Sequence, residues 1–183
     1  MGHRTLLLSA LALYAAIAPA VAQPTLAVDL TFDTHMYAFR DIVTPYFGAG
    51  ASVTARDAAP IGGESSLFTE TGIVTGIAVN PHAAAFRDVL IPLYSSVAIG
   101  VDASGRFRGW VALRIGVAGS IVSGWGGDFP WSVGIAGGVA TRIAGPLMAT
   151  LELSAMNVYP GGIASRIVSS RAGLRYAPPG GDR

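Results

Sequence analysis

The feature that most constrains this chain is a two-residue alternation of apolar and polar side chains, sustained over long segments. From Leu26 the even positions read Leu26, Val28, Leu30, Phe32, Thr34 and Met36, while the odd positions read Ala27, Asp29, Thr31, Asp33, His35 and Tyr37. One face is apolar and the other carries charge, which predicts a strand with two unlike faces. Strands of soluble sheets usually run to about five or six residues, so a segment twice that long points toward a membrane.

The alternation returns four times. Val89, Ile91, Leu93, Val97, Ile99 and Val101 share a face, and Phe107, Val111, Leu113, Ile115 and Val117 oppose Arg108, Trp110, Arg114 and Gly116. Leu147, Ala149, Leu151 and Leu153 oppose Thr150, Glu152 and Ser154; Val168, Ala172, Leu174 and Tyr176 oppose Ser169, Arg171, Gly173 and Arg175. Val43 to Arg56, Leu67 to Val79 and Trp131 to Ile143 alternate less cleanly, and together the segments predict eight strands. A transmembrane strand takes about 9 to 11 tilted residues, so eight use roughly 80 to 90 and the rest of the chain serves as connections. The fold expected is all-β: an eight-stranded antiparallel up-and-down transmembrane β-barrel in one domain.

Composition fits that picture. The 183 residues are 51% hydrophobic and only 13% charged, with no Cys, and the net charge of +1 supplies no basic field for nucleic acid. The apolar run Leu6 to Ala18 follows His3 and Arg4 and precedes Pro19 and the small residues Ala20 and Ala22, the pattern of a cleavable export signal. Its thirteen residues fall short of the roughly 20 that a helix needs to cross a bilayer. The organisation expected is therefore residues 1–22 as signal peptide, 23–177 as barrel and 178–183 as a short tail. Without Cys there is no site for lipid attachment.

Turn chemistry falls between the strands. Asp102 to Gly105 and Ala144 to Pro146 read as tight connections, whereas Asp57 to Ser66, Asn80 to Asp88 and Val122 to Pro130 read as longer ones. The tetrapeptide Ala38-Phe39-Arg40-Asp41 recurs as Ala85-Phe86-Arg87-Asp88, each copy followed by a proline, Pro45 or Pro92. Simple alternation puts the two prolines on opposite faces, so a bulge near one of them would be needed to bring the copies into register. Duplicated turn chemistry explains the repeat more economically than paired ligand contacts do.

Periodicity alone does not say which face meets which solvent. An apolar-inside barrel would be a soluble exported protein with an apolar ligand cavity; the inverted arrangement is a membrane barrel. Strand length, the export signal and the aromatics near segment ends (Tyr37, Phe39, Phe107, Trp110, Trp125, Phe129, Trp131, Tyr159 and Tyr176) favour the membrane. The C-terminal stretch Arg171-Ala172-Gly173-Leu174-Arg175-Tyr176-Ala177-Pro178 resembles the terminal insertion signal of bacterial outer-membrane barrels, with Gly173 and Tyr176 in the expected places and Pro178 where a final aromatic usually stands. Across the mature chain the pattern resembles small eight-stranded outer-membrane barrels of the OmpA, OmpX and opacity-protein type. That resemblance implies a bacterial outer-membrane location, structural, adhesive or surface-interaction roles, and dealings with outer-membrane lipid, the barrel insertion machinery and an external partner reached through loops.

Charge is divided along the chain. Residues 23 to 103 hold three Arg and eight acids, a net of −5, and residues 104 to 183 hold eight Arg and three acids, a net of +5. Closure of the barrel brings Arg171 and Arg175 near Asp29 and Asp33, with Glu70, Arg108, Arg114 and Glu152 also on polar faces. These eight form the candidate lumen charge network, either a filled, salt-bridged interior or a gated ion path; buried unpaired charge is costly, which favours the filled interior. His35 and His82 are the histidines of the mature chain, and neither lies in a compact His-x-Ser arrangement suited to a lipid-modifying enzyme. Neither a metal ligand set nor a nucleotide-binding glycine motif occurs, so no catalytic residue, metal or cofactor is expected.

Overall fold

The computed structural model describes residues 25–39, 42–82, 88–122, 126–159 and 165–178. The expected signal peptide, most of the Phe-Arg-Asp repeat, Trp125 and the end of the tail lie outside the described residues. The strands are β1 (Thr25–Phe39), β2 (Ile42–Gly62), β3 (Ser65–Val79), β4 (Asp88–Ala103), β5 (Phe107–Val122), β6 (Gly126–Asp128), β7 (Trp131–Ala144), β8 (Leu147–Tyr159) and β9 (Ser165–Tyr176). Eight long strands pair antiparallel with their neighbours, β9 returns to β1, and β4 pairs with β5, so the sheet closes into a ring. The ninth strand, β6, was not expected; its three residues lie within the Val122–Pro130 connection and add to the end of β5.

Closure abolishes free edges, and the alternation then decides what faces where. Even residues of β1 point outward, so Leu30 is 66% exposed while Asp33 is 1% exposed. The same rule exposes Ile73, Val111, Leu113, Ile135, Leu153 and Val168 on the outside. An apolar exterior around a charged interior is the inverse of a soluble protein, so this is a membrane barrel, and the soluble barrel with an apolar cavity is set aside.

Three short turns, at residues 63–64, 104–106 and 145–146, lie at one end with both termini of the ring. At the other end, the loop end, lie the C-terminal residues of β3, β5 and β8 and Asn80. The ten-residue connection expected from Asp57 to Ser66 is instead a continued hairpin: β2 and β3 stay paired through Asp57↔Thr69 to Gly62↔Ser65 and turn at Gly63. Gly63 has a φ of 58°, a left-handed conformation that glycine adopts without a Cβ penalty.

The bulge invoked to align Pro45 with Pro92 is absent. The β1–β2 register runs without a shift from Thr25↔Arg56 to Phe39↔Ile42, so Pro45 stays on the outward face beside Met36 while Pro92 is buried on the inward face. The β3–β4 ladder has no bridges between Thr75↔Leu93 and Ala78↔Leu90, opposite the proline that lacks an N–H. Two aromatics expected near the membrane boundary, Tyr37 and Trp110, also point inward and pack against interior apolar residues.

Candidate functional site: the lumen

The interior is built in zones. Toward the loop end Tyr46, Val74, Leu90, Tyr94, Met156, Val158 and Ile167 form an apolar cluster, with Tyr37 packed against it. Toward the turn end Ala27, Ala140, Met148 and Ala177 form another around Trp110. Charge occupies the space between and beside them.

Among the described residues, five arginines and five carboxylates are joined there by eight ion pairs. They fall into two chains. In the first, Arg56 and Arg108 hold Asp102 at 3.1 and 2.9 Å, Arg108 lies 3.9 Å from Glu70, and Arg175 bridges Glu70 at 2.5 Å and Asp29 at 3.5 Å. In the second, Arg114 holds Glu152 at 2.7 Å, and Arg171 joins Glu152 at 3.9 Å to Asp33 at 3.0 Å. The first has three of each sign and the second two of each, so both are formally neutral.

All eight residues of the candidate network lie in these chains. Asp33 and Arg171 are register partners across the closing seam, as are Asp29 and Arg175, because β9 pairs with β1. Arg114 reaches Glu152 across β7, where Gly134, Ala136 and Gly138 leave the inner surface low. Sequence reading missed Arg56, where the alternation read from sequence stops although β2 runs on to Gly62, and Asp102, next to the last residue of β4, where turn chemistry masks a lumen role. It also missed Phe68, a buried ring with the Arg56 and Arg108 guanidinium carbons 4.6 and 5.4 Å from its centre. Cation–π contact of this kind holds an arginine that hydrogen bonds alone would leave partly free.

Hydroxyls add to the shell. Arg171 Nη2 donates to Thr31 Oγ1 at 3.0 Å, Thr31 donates to Asp33 at 2.6 Å, Arg175 donates to Thr54 at 2.9 Å, and Ser52 donates to Asp29. Glycines make the room. A Cβ on Gly138 would strike the Trp110 ring, and one on Gly50 would strike the Asp33 carboxylate and the Arg171 guanidinium. Two cavities in the charged zone measure about 30 and 20 Å³, the first bordered by Asp29, Glu70, Arg114, Glu152 and Arg175. That is room for isolated waters and not for a hydrated ion path.

His35 is buried, with Nδ1 2.7 Å from Ser169 Oγ and Nε2 4.0 Å from Asp33. The sequence did not show this proximity, because the two residues lie on β1 and β9 and meet only through closure. The group is enclosed by the barrel wall, away from the lipid-facing rim where a lipid-modifying triad would work, and Asp33 is already committed to Arg171. His82 lies beyond β3, where its backbone N–H donates to Asn80 Oδ1 at 2.9 Å.

Of the two residues matched to an insertion signal, Gly173 faces inward, and a Cβ there would strike the Leu30 carbonyl of β1; Tyr176 faces outward at the turn end and is 52% exposed. Asp88 ties the loop end together by accepting from Tyr46 Oη at 2.8 Å and Asn80 Nδ2 at 3.3 Å.

No protein-family model and no curated protein matches the sequence. Among solved structures, the chain is similar to Neisserial surface protein A, with a TM-score of 0.63 and 13% identity over 85% of this chain and 99% of that one. Two others align at lower scores: the attachment invasion locus protein Ail of Yersinia pestis (TM-score 0.47, 9% identity, 85% of this chain and 100% of that one) and the outer membrane protein OprG from Pseudomonas aeruginosa (0.41, 6%, 85% and 96%). At such identity the first likeness is one of fold, and together with the apolar exterior and the closed ring it makes this chain an eight-stranded β-barrel of the outer-membrane type.

Proposed function

We propose that the chain is a closed, non-enzymatic structural barrel of the bacterial outer membrane, exported on residues 1–22, with a filled and salt-bridged lumen. The observation that carries this reading is the interior among the described residues: charges balanced in two neutral chains, with apolar clusters toward both ends. A barrel built this way contributes a rigid wall and an outer surface, and its partners are lipid and whatever meets its loops. The Asn80 to Asp88 connection suits a surface-interaction role, because Asn80 and Asp88 are joined by backbone and side-chain bonds that pre-organise its base. Gly173 and Tyr176 are assigned to recognition by the insertion machinery, in addition to any packing duty.

Fractionation with planar-bilayer recording tests the reading. The protein should require detergent for release from the outer membrane, show heat-modifiable gel mobility, and give no open-state current. Reproducible single-channel currents from the unmodified protein would replace the filled lumen with a pore, and release without detergent would remove the membrane assignment.

A further inference from the structure

The outward face of the ring is almost free of charge. Among the described residues of its eight strands, the outward-facing charged side chains are Asp57, in the hairpin that continues past the start of β1, and Arg166 near the loop end of β9. Arg166 is exposed and stands opposite Asn157 of β8 and Ala38 of β1. The next outward residue of β8 is Tyr159, whose register partner is Trp131 of β7; these rings are 51% and 52% exposed. On the other side of Arg166 along β9, Val168 begins the apolar face.

The structure therefore sets one guanidinium at the boundary between the apolar band and a Trp–Tyr pair. Such aromatic pairs mark the headgroup level of a bilayer, the depth at which lipid phosphates lie. A planar guanidinium binds phosphate oxygens in bidentate fashion, Asn157 adds a neutral donor beside it, and Tyr159 offers a hydroxyl. Barrels of this kind turn their short connections to the periplasm and their longer ones outward, which puts Arg166 at the outer leaflet. We propose that Arg166, with Asn157 and Tyr159, forms a lipid-facing site for the phosphate monoester of an outer-leaflet glycolipid. The direction in which Arg166 faces selects a lipid over a soluble anion: a soluble anion would be met from the mouth or the loops, whereas this side chain projects from the wall into the lipid shell.

The proposal rests on the outer-membrane reading, and the two can fail separately. The whole chain and its R166A, R166K and N157A variants would be refolded into phosphatidylcholine nanodiscs containing either lipid A, with its phosphates, or its dephosphorylated counterpart. Lipid retained on the barrel would be counted by native mass spectrometry. Unmodified protein should retain lipid A, with R166A reducing retention roughly tenfold, the scale of one charge-assisted pair, and R166K reducing it less. Removing the lipid phosphates should have the effect of R166A, and millimolar inorganic phosphate should not displace the lipid. Equal retention by R166A that shows normal heat-modifiable mobility, or equal retention of the dephosphorylated lipid, overturns the site. Displacement by inorganic phosphate would make it a general anion site and overturn the glycolipid assignment. Failure of the unmodified chain to enter the bilayer would overturn the membrane reading instead.

Discussion

Asp33 is held by Arg171 at 3.0 Å, receives the Thr31 hydroxyl, and is 1% exposed. Removing either charged partner orphans the other inside the wall, so D33N or R171Q alone should destabilise the barrel by about 3 to 5 kcal/mol. The double variant should recover much of that loss, because no unpaired charge remains. Thermal unfolding in detergent reads the cycle, and strictly additive losses would mean that the two residues do not interact. Gly173 allows a second measurement at the same seam. Its missing Cβ gives Leu30 its place, so G173A should weaken the purified protein by about 1 to 3 kcal/mol in machinery-free refolding. Y176A, whose ring is on the outside, should change machinery-free stability little and lower the yield of cellular assembly. Equal loss from Y176A in refolding would make its role packing.

Strands differ in how openly they declare themselves. Five were legible because apolar residues recur at alternate positions with few breaks, such as Ser95 and Gly109. The outward faces of β2 and β3 are diluted by Ala49, Ala51, Ala55, Thr69, Thr71 and Thr75, so their contrast is low, and Pro60 and Gly62 disguise a strand continuation as a loop. The candidate site was legible where a charge stood mid-strand, as with Glu152 and Arg171, and illegible at ends such as Asp102, where an acid has an ordinary turn reading. Cross-seam contacts such as His35 with Ser169 require closure to be seen at all. Depth in the bilayer grades the response to charge on the outward face. L113R and L151R place arginine on the lipid side within β5 and β8 and should each cost about 2 to 4 kcal/mol, while L147R, at the start of β8, should cost about 0 to 1. Denaturant unfolding in lipid vesicles orders the three, and equal costs would mean a bilayer position different from the one argued here.

Besides the apolar cluster around Trp110 at the turn end, the barrel presents two obstacles in series to anything crossing it: the apolar cluster around Tyr94 and Met156, and the charged zone around Arg175 and Glu70. Opening either alone should leave the wall sealed. Y94A/M156A and E70A/R175A, the latter removing opposite charges together, should both stay silent in planar bilayers, and only their combination with W110A should conduct. Current through either double variant would locate the seal in a single zone. The division of charge between the two halves of the chain bears on how such a wall is finished. Five of the eight ion pairs join residues before position 104 to residues after it, and two of those five cross the β1–β9 seam. A sheet with that seam still open is a trough with its acids largely on one flank and its arginines on the other. Strand hydrogen bonds act only within about 3 Å, whereas Coulomb attraction persists over a screening length of about 8 Å at physiological salt. The interior charges thus work as a clasp, drawing the two free edges together before the last strand can begin to pair.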